Sequence, residues 1–593
     1  MVLPPIKGKM LLRKDRHFPI QSQCDICGYD METGERALGL IGHGDVRPVK
    51  LDPVVRFRFP AYAHVMALFP AHQVCRDTKC PSRHLRLTET ATAHVSCYNF
   101  MAKCCRDAGS SHLSGAAIAW RQPWHAGSAF SLRPRTSTRK GMSLAAKVYD
   151  MPMLADLPLE ILEMIRSHCE KHVIWRFGSV AELVDSLDGA ESLAPVSLPL
   201  RKISAWERGS SPIMSRDALE PIMRPIIRLT VDYRGLQRIE RLAELPTSDS
   251  SPSKISAYAF EVDSKEVDDS TKVHFQNGLG RLERPENQSN LPVWDIPWAP
   301  LSLIGKQFPE SFRLTTINLQ KCTGMTFFLW NDGVYGIHAH TAASPDARPT
   351  ARAMARRMER DDFQSLLWVY VPFAPPDRVT AFGIRARYRP QHDRPLNGCC
   401  FLIQFALGGD VSIGPYFSSE VLDYTRTVNS RSVLVHNVPE FNEPISFLTL
   451  ESDGEAGVKI SRPPVTAGEP LLSSSASLAN TAALRVFEDH ALGFCRGIIV
   501  EYTNGAQRAL GECRLGEHRI RVYKKPTHIC MTRRITRAIS CKDVRVKAVA
   551  DPEHRHERGE AMRCYPMSGK LEFLFDRVHT HIDHAPHDFP PDF

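Results

Sequence analysis

Two pairs of residues near the start of the chain have the spacing of metal ligands. Cys24 and Cys27 form a C-x-x-C pair, and Gly28 directly after it permits a tight turn. His72 and Cys75 form an H-x-x-C pair, whose members would lie on one face if this segment were a helix. Together the two pairs supply the four nitrogen and sulfur ligands of a closed zinc site. We therefore predict that Cys24, Cys27, His72 and Cys75 bind Zn²⁺.

The surrounding segment is rich in cysteine, which leaves the ligand set open. Cys80, His84 and Cys97 compete with the predicted residues as ligands. An alternative interpretation is a set of buried free cysteines, because cysteine is often a core residue. No His-Glu-x-x-His pattern is present, so a zinc ion here is expected to be structural and not catalytic. Seven of the sixteen cysteines lie in the first 105 residues: Cys24, Cys27, Cys75, Cys80, Cys97, Cys104 and Cys105.

Size and composition set the broad class of the protein. A chain of 593 residues predicts three or four domains. The net charge of +9 is modest for 66.6 kDa and does not favour a dedicated nucleic-acid groove. The N-terminus has no apolar core of a signal peptide, and no run of residues is apolar enough for a membrane span. We therefore expect a location in the cytoplasm, the nucleus or both.

Two short helices are predicted after the cysteine-rich module. The module is expected to span 1–105, and a basic flexible linker follows over 106–150 because small, polar and basic residues dominate there. The first helix is predicted at about 157–169 and the second at 180–187. Their apolar residues recur at three- and four-residue spacing, and Ser179 with Glu182 has the pattern of a capping box. Spacing alone also fits a helical hairpin packed on its own neighbouring domain.

The remaining sequence has the pattern of a β-rich region. Short alternating runs broken by Gly, Asn, Asp and Pro predict strands over 201–578. Three hairpins are predicted at 325–340, 400–416 and 497–513, because Asn-Gly, Asp-Gly or Gly-Gly-Asp turns separate paired runs. We expect an exposed insertion at 342–360 and a disordered histidine-rich tail at 579–593. The predicted fold class is therefore α+β multidomain, with a large sandwich- or prism-like β-rich region.

Several segments carry a resemblance to a known family. The run LADLPLEILEMI at 154–165 resembles the opening of an F-box, and WRF at 175–177 is similar to the form this module takes in uncharacterised fungal F-box proteins. That group also has a Cys-x-x-Cys and His-x-x-Cys arrangement before its F-box. The segments FFLWNDGVYGIHAHT and FCRGIIVEYTNGAQRALGECRLG are similar to its C-terminal half. The likeness therefore covers most of the chain, with F-box-like helices at 151–200.

The resemblance implies a function in protein degradation. In F-box proteins the first helices bind a Skp-type adaptor, which connects the chain to a cullin–RING ubiquitin ligase. The implied role is a substrate receptor that holds a client protein or glycoprotein and performs no bond chemistry. Exposed aliphatic residues at helical spacing suit such a partner groove. The adaptor-facing residues that the resemblance implies are Leu157, Pro158, Ile161, Leu162 and Ile165.

Two other functions remain open from the sequence. The chain could be a stand-alone lectin-like or scaffold protein whose helix pair is structural, since strand-Asp-Gly-strand units also resemble jacalin-type lectin sheets. It could also be an enzyme whose catalytic residues lie in the β-rich half. No G-x-S-x-G elbow, P-loop or dinucleotide-binding glycine motif is present, so we expect no enzyme activity.

Overall fold

The computed structural model shows a mostly β protein of several sheets with few helices. The chain forms two compact units: unit 1 is Met1–Thr315, and unit 2 is Thr316–Phe593. None of the helices in the described part of the chain has the length and apolar character of a membrane span. The structure describes residues 17–43, 50–67, 72–77, 80, 90–104, 132, 134, 139–169, 172–188, 196–215, 220–246, 255–262, 269–285, 291–298, 313–331, 333–387, 400–414, 421–430, 432–452, 454, 456–457, 472–535, 542–556, 562–577 and 580–586.

Short strands and a group of helices alternate in the first part of the chain. The strands are β1 (His17–Pro19), β2 (Arg36–His43), β3 (Lys50–Arg58), β4 (His64–Ala67), β5 (His72–Cys75), β6 (Thr90–His94), β7 (Val196–Pro199), β8 (Ile203–Glu207), β9 (Ile213–Met214), β10 (Ile226–Asp232), β11 (Gly235–Leu242), β12 (Ala257–Val262), β13 (Lys272–Gln276), β14 (Leu279–Glu283) and β15 (Val293–Trp294). The helices are α1 (Val95–Cys104), α2 (Arg139–Val148), α3 (Pro152–Ala155), α4 (Leu159–His168), α5 (Val173–Asp188) and α6 (Glu220–Met223), and a 3₁₀ turn covers Leu200–Lys202.

One hydrophobic core joins the cysteine-rich segment to the helices. Its two small sheets have the strand orders β1-β5-β4 and β3-β2-β6. Buried side chains from these sheets, such as Phe18 and Val55, belong to the same core as Phe100 of α1 and Phe177 of α5. The rings of Phe100 and Phe177 stack with their centroids 4.6 Å apart. The predicted module and the predicted helix pair are therefore packed around shared apolar residues.

The helical part differs from the sequence expectation in two places. Helix α2 occupies Arg139–Val148, within the segment expected to be a flexible linker, and it buries Met142 and Ala145 in the core. Residues 106–131, 133 and 135–138 of that linker lie outside the described part of the chain. Helix α5 begins at Val173, so Ser179 lies inside the helix and donates a hydrogen bond to the Trp175 carbonyl (3.4 Å) instead of capping it. Buried Trp175 and Phe177 extend the apolar face and favour the longer helix.

A second core in unit 1 lies in a larger antiparallel sheet. The strand order there is β9-β8-β11-β10-β12-β15, and the strands β14-β13-β7 form a separate sheet. Trp206 from β8 contacts Phe275 from β13, with ring centroids 5.1 Å apart, so the two sheets share this core. Tyr233 lies in the turn between β10 and β11 and is also buried. This turn approaches the cysteine-rich module, as described below.

Strands dominate the second part of the chain. They are β16 (Arg313–Asn318), β17 (Gly324–Trp330), β18 (Gly333–His340), β19 (Leu367–Pro372), β20 (Val379–Arg387), β21 (Cys400–Phe405), β22 (Gly409–Ile413), β23 (Val421–Thr427), β24 (Val433–Asn437), β25 (Leu448–Glu451), β26 (Leu472–Ser477), β27 (Thr481–Glu488), β28 (Cys495–Tyr502), β29 (Gln507–Gly511), β30 (Arg519–Lys524), β31 (His528–Ile535), β32 (Lys542–Val549), β33 (Met562–Pro566), β34 (Lys570–Phe575) and β35 (Thr580–Ala585). Helices α7 (Arg348–Ala355) and α8 (Arg360–Gln364) and a 3₁₀ turn at Leu319–Lys321 complete the described elements.

The three predicted hairpins are confirmed in unit 2. Strand β17 pairs with β18, β21 with β22, and β28 with β29, each antiparallel. One core lies between the sheets β18-β17-β19 and β22-β21-β20-β23, where the Phe327 and Phe401 ring centroids are 5.2 Å apart. A second core is enclosed by the three sheets β26-β34-β35, β29-β28-β27-β30 and β32-β31-β33. The expectation of a β-rich region is therefore confirmed.

Two segments of unit 2 are more ordered than the sequence indicated. The expected insertion at 342–360 contains α7 and the start of α8, and it buries Ala351, Met354 and Met358 against β17 and β18. Within the expected disordered tail, Thr580–Ala585 forms β35 and pairs with β34. Thr580 and Ile582 are buried at alternate positions of the strand, and Ile582 belongs to the core. Residues 587–593 lie outside the described part of the chain.

Candidate metal centres

Four buried side chains converge near the N-terminus. We call Cys24, Cys27, His94 and Cys97 the knuckle cluster, and their ligand atoms all lie within 4.8 Å of one another. His94 Nδ1 lies 3.5 Å from Cys27 Sγ and 3.7 Å from Cys97 Sγ. Each of the four residues is at most 2% exposed. This cluster could hold a metal ion such as zinc, because three sulfurs and one imidazole nitrogen are a set of ligands for tetrahedral Zn²⁺.

Local backbone geometry explains how the C-x-x-C pair forms a knuckle. The Gly28 amide donates to the Cys24 carbonyl (2.9 Å), and the Cys24 amide donates to the Tyr29 carbonyl (2.9 Å). Gly28 has φ +79°, a conformation that residues with a Cβ rarely adopt. The result is a tight turn in which both sulfurs face the same point. The predicted role of Gly28 in a tight turn therefore agrees with the structure.

Strand pairing brings the other two ligands to the knuckle. His94 ends β6 and Cys97 lies in the first turn of α1. The Asp25 amide donates to the Thr92 carbonyl and the Thr92 amide donates to an Asp25 carboxylate oxygen, each at 2.7 Å. The His94 amide also points at Cys24 Sγ (3.4 Å). These bonds hold the end of β6 against the turn, and an N–H that faces a sulfur stabilises the thiolate form.

Two charged residues lie on the side of His94 that faces away from the sulfurs. His94 Nε2 lies 3.2 Å from Glu35 Oε2, and Arg176 Nη2 donates to Glu35 Oε1 at 2.7 Å. Burial alone raises the pKa of Glu35, but its hydrogen bonds with His94 and Arg176 lower that pKa to about 2. An ionised Glu35 accepts the Nε2 proton of His94, which leaves Nδ1 as the nitrogen that faces the sulfurs. Histidines that bind metal ions commonly have such a carboxylate partner.

The pKa shifts in the knuckle cluster indicate that a thiolate there is stabilised by a neighbouring positive charge. Burial alone raises the pKa of the Cys24 thiol, but hydrogen bonds from the other two thiols and the charge on His94 lower it. Burial alone lowers the pKa of His94, but the Cys24 thiolate and Glu35 raise it to about 12. A buried thiolate thus depends on a neighbouring cation. A divalent metal ion supplies that charge to all three sulfurs at once.

A second group of ligands lies on the small sheet β1-β5-β4. We call His17, His64, Cys75 and Cys80 the strand cluster, and their ligand atoms also lie within 4.8 Å of one another. His64 and Cys75 are direct cross-strand partners, and Cys80 Sγ lies 3.3 Å from His17 Nε2. Cys75 and Cys80 are buried, whereas His64 is exposed. Burial and the nearby Cys80 raise the pKa of the Cys75 thiol to about 12. The strand cluster is therefore a second, more open place for a metal ion.

The structure does not bring the four predicted zinc ligands together. Cys24 and Cys27 lie in the knuckle cluster, and Cys75 lies in the strand cluster. His72 belongs to neither cluster, because β5 is a strand and residues three apart on a strand point to opposite faces. Of the competing residues, Cys97 lies in the knuckle cluster, Cys80 lies in the strand cluster, and His84 is outside the described part of the chain.

A signal for the missed ligands was present in the sequence. His94 and Cys97 form a second H-x-x-C pair, with the same spacing as His72 and Cys75. Spacing alone cannot choose between the two pairs. The choice depends on β2, which pairs with β6 and carries its end to the C-x-x-C turn. That pairing joins residues 49 to 57 positions apart, so it is a property of the fold.

The five predicted adaptor-facing residues divide between the core and the surface. Leu162 of α4 is 1% exposed, and Leu157 and Ile165 are half-buried against the same core. Pro158, at the N-cap of α4, and Ile161 are exposed. Further large apolar residues are exposed around them: Met151, Met153, Leu159 and Met164. The helix thus packs one face on unit 1 and presents another to solvent.

Comparison of the sequence with protein-family models finds no matching family, and comparison with curated proteins finds no similar sequence. The function therefore has to be inferred from the chain's own residues. The features available for that inference are the Cys/His clusters, the exposed part of α3 and α4, and the β-rich remainder.

Proposed function

We propose that this protein is an F-box-like substrate receptor. The exposed part of α3 and α4 would bind a Skp-type adaptor, and the β-rich region would bind a client, so that the client is held near a cullin–RING ubiquitin ligase. The observation that carries the proposal is the concentration of exposed large apolar side chains in one short stretch. We call these residues the docking patch: Met151, Met153, Leu159, Ile161 and Met164. Such a receptor performs no bond chemistry and acts by raising the effective concentration of its client.

The docking patch has the composition of a surface for a partner groove. Met153 is 81% exposed and Met164 is 61% exposed, which is unusual for side chains of this type. Contiguous exposed apolar residues often mark interaction sites, and full burial of one such side chain contributes roughly 1.5–3 kcal/mol. Exposed Glu160 and Glu163 lie among them. We therefore expect a partner groove that is apolar at its centre and basic at its rim.

The helices behind the docking patch are held firmly. Trp175 Nε1 of α5 donates to the Cys169 carbonyl (2.9 Å) at the end of α4. Arg176 in the same helix bonds Glu35, which supports His94 of the knuckle cluster. The metal-binding module and the helix pair are therefore linked by packing and by this ion pair. In the proposed function, a structural metal ion positions the adaptor-binding helices.

The experiment is co-purification of the full chain with a Skp-type adaptor. We expect the wild type to retain the adaptor and the double variant Leu159→Asp/Ile161→Asp to lose it. Both side chains are exposed, about 40% in each case (41% and 39%), so the charges enter solvent and not the core. The matched control is Ile222→Asp/Met223→Asp in α6, whose side chains are each 71% exposed.

Each outcome has a distinct meaning. Loss of adaptor from the docking-patch variant, with an unchanged thermal unfolding midpoint and with adaptor retained by the α6 control, supports the proposal. A folded wild type that binds no adaptor overturns it and favours a stand-alone binding protein. Equal loss from both double variants overturns it as well, because binding would then reflect general exposure of apolar surface.

A further inference from the structure

A third convergence of metal-ligating side chains lies in unit 2, far along the chain from the residues that the sequence singled out. We call Cys530, His554, His556 and Cys564 the C-terminal cluster, and their ligand atoms lie within 4.8 Å of one another. His554 Nε2 is 3.1 Å from Cys530 Sγ and 3.1 Å from His556 Nε2. Cys564 Sγ is 3.3 Å from His554 Nε2 and 2.9 Å from His556 Nε2.

The sheet β32-β31-β33 positions the two sulfurs. Cys530 of β31 and Cys564 of β33 are direct antiparallel partners, so their side chains leave the same face of the sheet. His554 and His556 come from the turn that follows β32. Strands β31 and β33 thus each contribute one ligand atom, and the turn after β32 contributes two. Chance proximity along one strand does not produce this arrangement.

A backbone contact orients His554 as a ligand. Its Nδ1–H donates to the Asp551 carbonyl (3.0 Å), which leaves the lone pair of Nε2 directed at Cys530, His556 and Cys564. A metal-binding histidine commonly donates its other ring N–H to a carbonyl or carboxylate. The ring of His528 packs beside it, with centroids 5.7 Å apart. The hydrogen bond from His554 to the Asp551 carbonyl is an observation separate from the convergence of the four ligands.

We propose that the C-terminal cluster binds one Zn²⁺ ion, or a similar thiophilic divalent cation, and that this ion exchanges readily with solvent. Two sulfurs and two imidazole nitrogens form the tetrahedral ligand set of zinc and exclude Mg²⁺ and Ca²⁺, which prefer oxygen. Neighbouring ligand atoms around tetrahedral zinc lie about 3.3–3.8 Å apart. The four separations given above, 2.9–3.3 Å, lie at the lower end of that range or slightly below it.

The exchange follows from the exposure of the cluster. Cys564 is exposed and both histidines are half-buried, whereas Cys530 is buried. Water or a competing ligand can therefore reach the ion from the side of Cys564 and the histidines. In the knuckle cluster, by contrast, all four ligands are buried. The proposal is independent of adaptor binding, because it concerns residues of unit 2 alone.

The experiment measures zinc content and zinc release of the full chain purified in reductant. Elemental analysis gives the stoichiometry, and a chromogenic chelator reports the rate of release. We expect a fast phase and a slow phase in the wild type. The variant His556→Ala/Cys564→Ser should lose about one zinc per chain and the corresponding part of the fast phase. The control His490→Ala/Cys322→Ser replaces one histidine and one cysteine of unit 2 outside the cluster and should keep both.

Cobalt substitution in the wild type gives a second readout that needs no variant. Co²⁺ that enters the fast-exchanging site should show tetrahedral d–d absorption and a thiolate charge-transfer band, and chelator should remove this signal first. Unchanged zinc content in the His556→Ala/Cys564→Ser variant overturns the proposal, as does a fast phase whose amplitude equals that of the wild type. A Cys530–Cys564 disulfide in reductant-treated protein also overturns it, because the two sulfurs would then be unable to bind the ion.

Discussion

The knuckle cluster and the C-terminal cluster use the same ligand types in opposite settings. The knuckle cluster lies inside a hydrophobic core, at the point where helix α1, strand β6 and the C-x-x-C turn meet. The C-terminal cluster lies at the surface of a sheet whose pairing and core exist without it. We therefore expect the surroundings of each Cys/His cluster to decide whether a bound metal ion stabilises the fold or exchanges with solvent.

The largest expected effect is removal of one ligand from the knuckle cluster. Cys97→Ser should release the metal ion and lower the thermal unfolding midpoint by more than about 10 °C, because binding to structural zinc sites contributes on the order of 10 kcal/mol. The matched control is Cys104→Ser in the same helix, outside the cluster. Differential scanning fluorimetry and elemental analysis measure both quantities. Equal effects of the two substitutions would show that the cluster contributes no more than ordinary packing.

The corresponding change at the surface should be mild. Cys564→Ser replaces an exposed side chain of β33, and we expect it to change the free energy of unfolding by less than about 1 kcal/mol while still weakening metal binding. Chemical denaturation with and without added zinc measures this change. A shift as large as that of Cys97→Ser would contradict the comparison, since both clusters would then be structural.

Acid should destabilise unit 2 through a buried histidine as well as through any bound metal. Burial lowers the pKa of His436 to about 4, against about 6.5 in an unfolded chain. The unfolded state therefore binds the proton first. The contribution of His436 to stability is complete above about pH 6.5 and falls by about 3 kcal/mol as the pH drops to 4.

Urea unfolding in chelator between pH 7 and pH 4 separates this effect from the metal ion. His436→Gln should flatten the dependence on pH by about the stated 3 kcal/mol, and the same substitution at exposed His490 is the matched control. An equally steep loss in the His436→Gln variant would assign the acid sensitivity to other groups in unit 2.

A smaller effect is expected from the group behind the knuckle cluster. Glu35→Gln removes the negative charge that faces His94 Nε2 and Arg176, and it should reduce metal affinity roughly 10–100-fold. The corresponding group in the C-terminal cluster is the backbone carbonyl of Asp551. Asp551→Ala keeps this carbonyl and removes only the side-chain bond to the Glu553 amide, so we expect a smaller loss of zinc affinity than for Glu35→Gln. Competition with a chelator of known affinity measures both. Equal affinities for wild type and Glu35→Gln would mean that the ion pair serves packing alone.

Features that are set by adjacent residues could be predicted from the sequence. The three hairpins follow from turn residues that need positive φ between paired apolar runs, and the knuckle turn follows from Cys24, Cys27 and Gly28. Each of these features is set by a few adjacent residues. The sequence also indicated a helix near 157–169, and α4 occupies Leu159–His168.

Features that depend on the pairing of strands far apart in the sequence could not be predicted from local patterns. The choice between His72-x-x-Cys75 and His94-x-x-Cys97 depends on β2 and β6. The C-terminal cluster was missed because its cysteines are thirty-four residues apart and meet only through the pairing of β31 with β33. The expected exposed insertion at 342–360 contains helix α7, which buries Ala351 and Met354 on one face.

The contact between Gly28 and Tyr233 has a consequence for synthesis on the ribosome. A Cβ at position 28 would lie 2.3 Å from Tyr233 Cδ2, so the aromatic ring occupies the space beside the knuckle. Tyr233 follows about 200 residues later, which translation at 5–20 residues per second supplies after roughly 10–40 s. During that interval the nascent N-terminal segment lacks the aromatic ring that packs beside Gly28. An isolated fragment that ends before this tyrosine should consequently be prone to aggregation, and chaperones have time to bind the emerging chain.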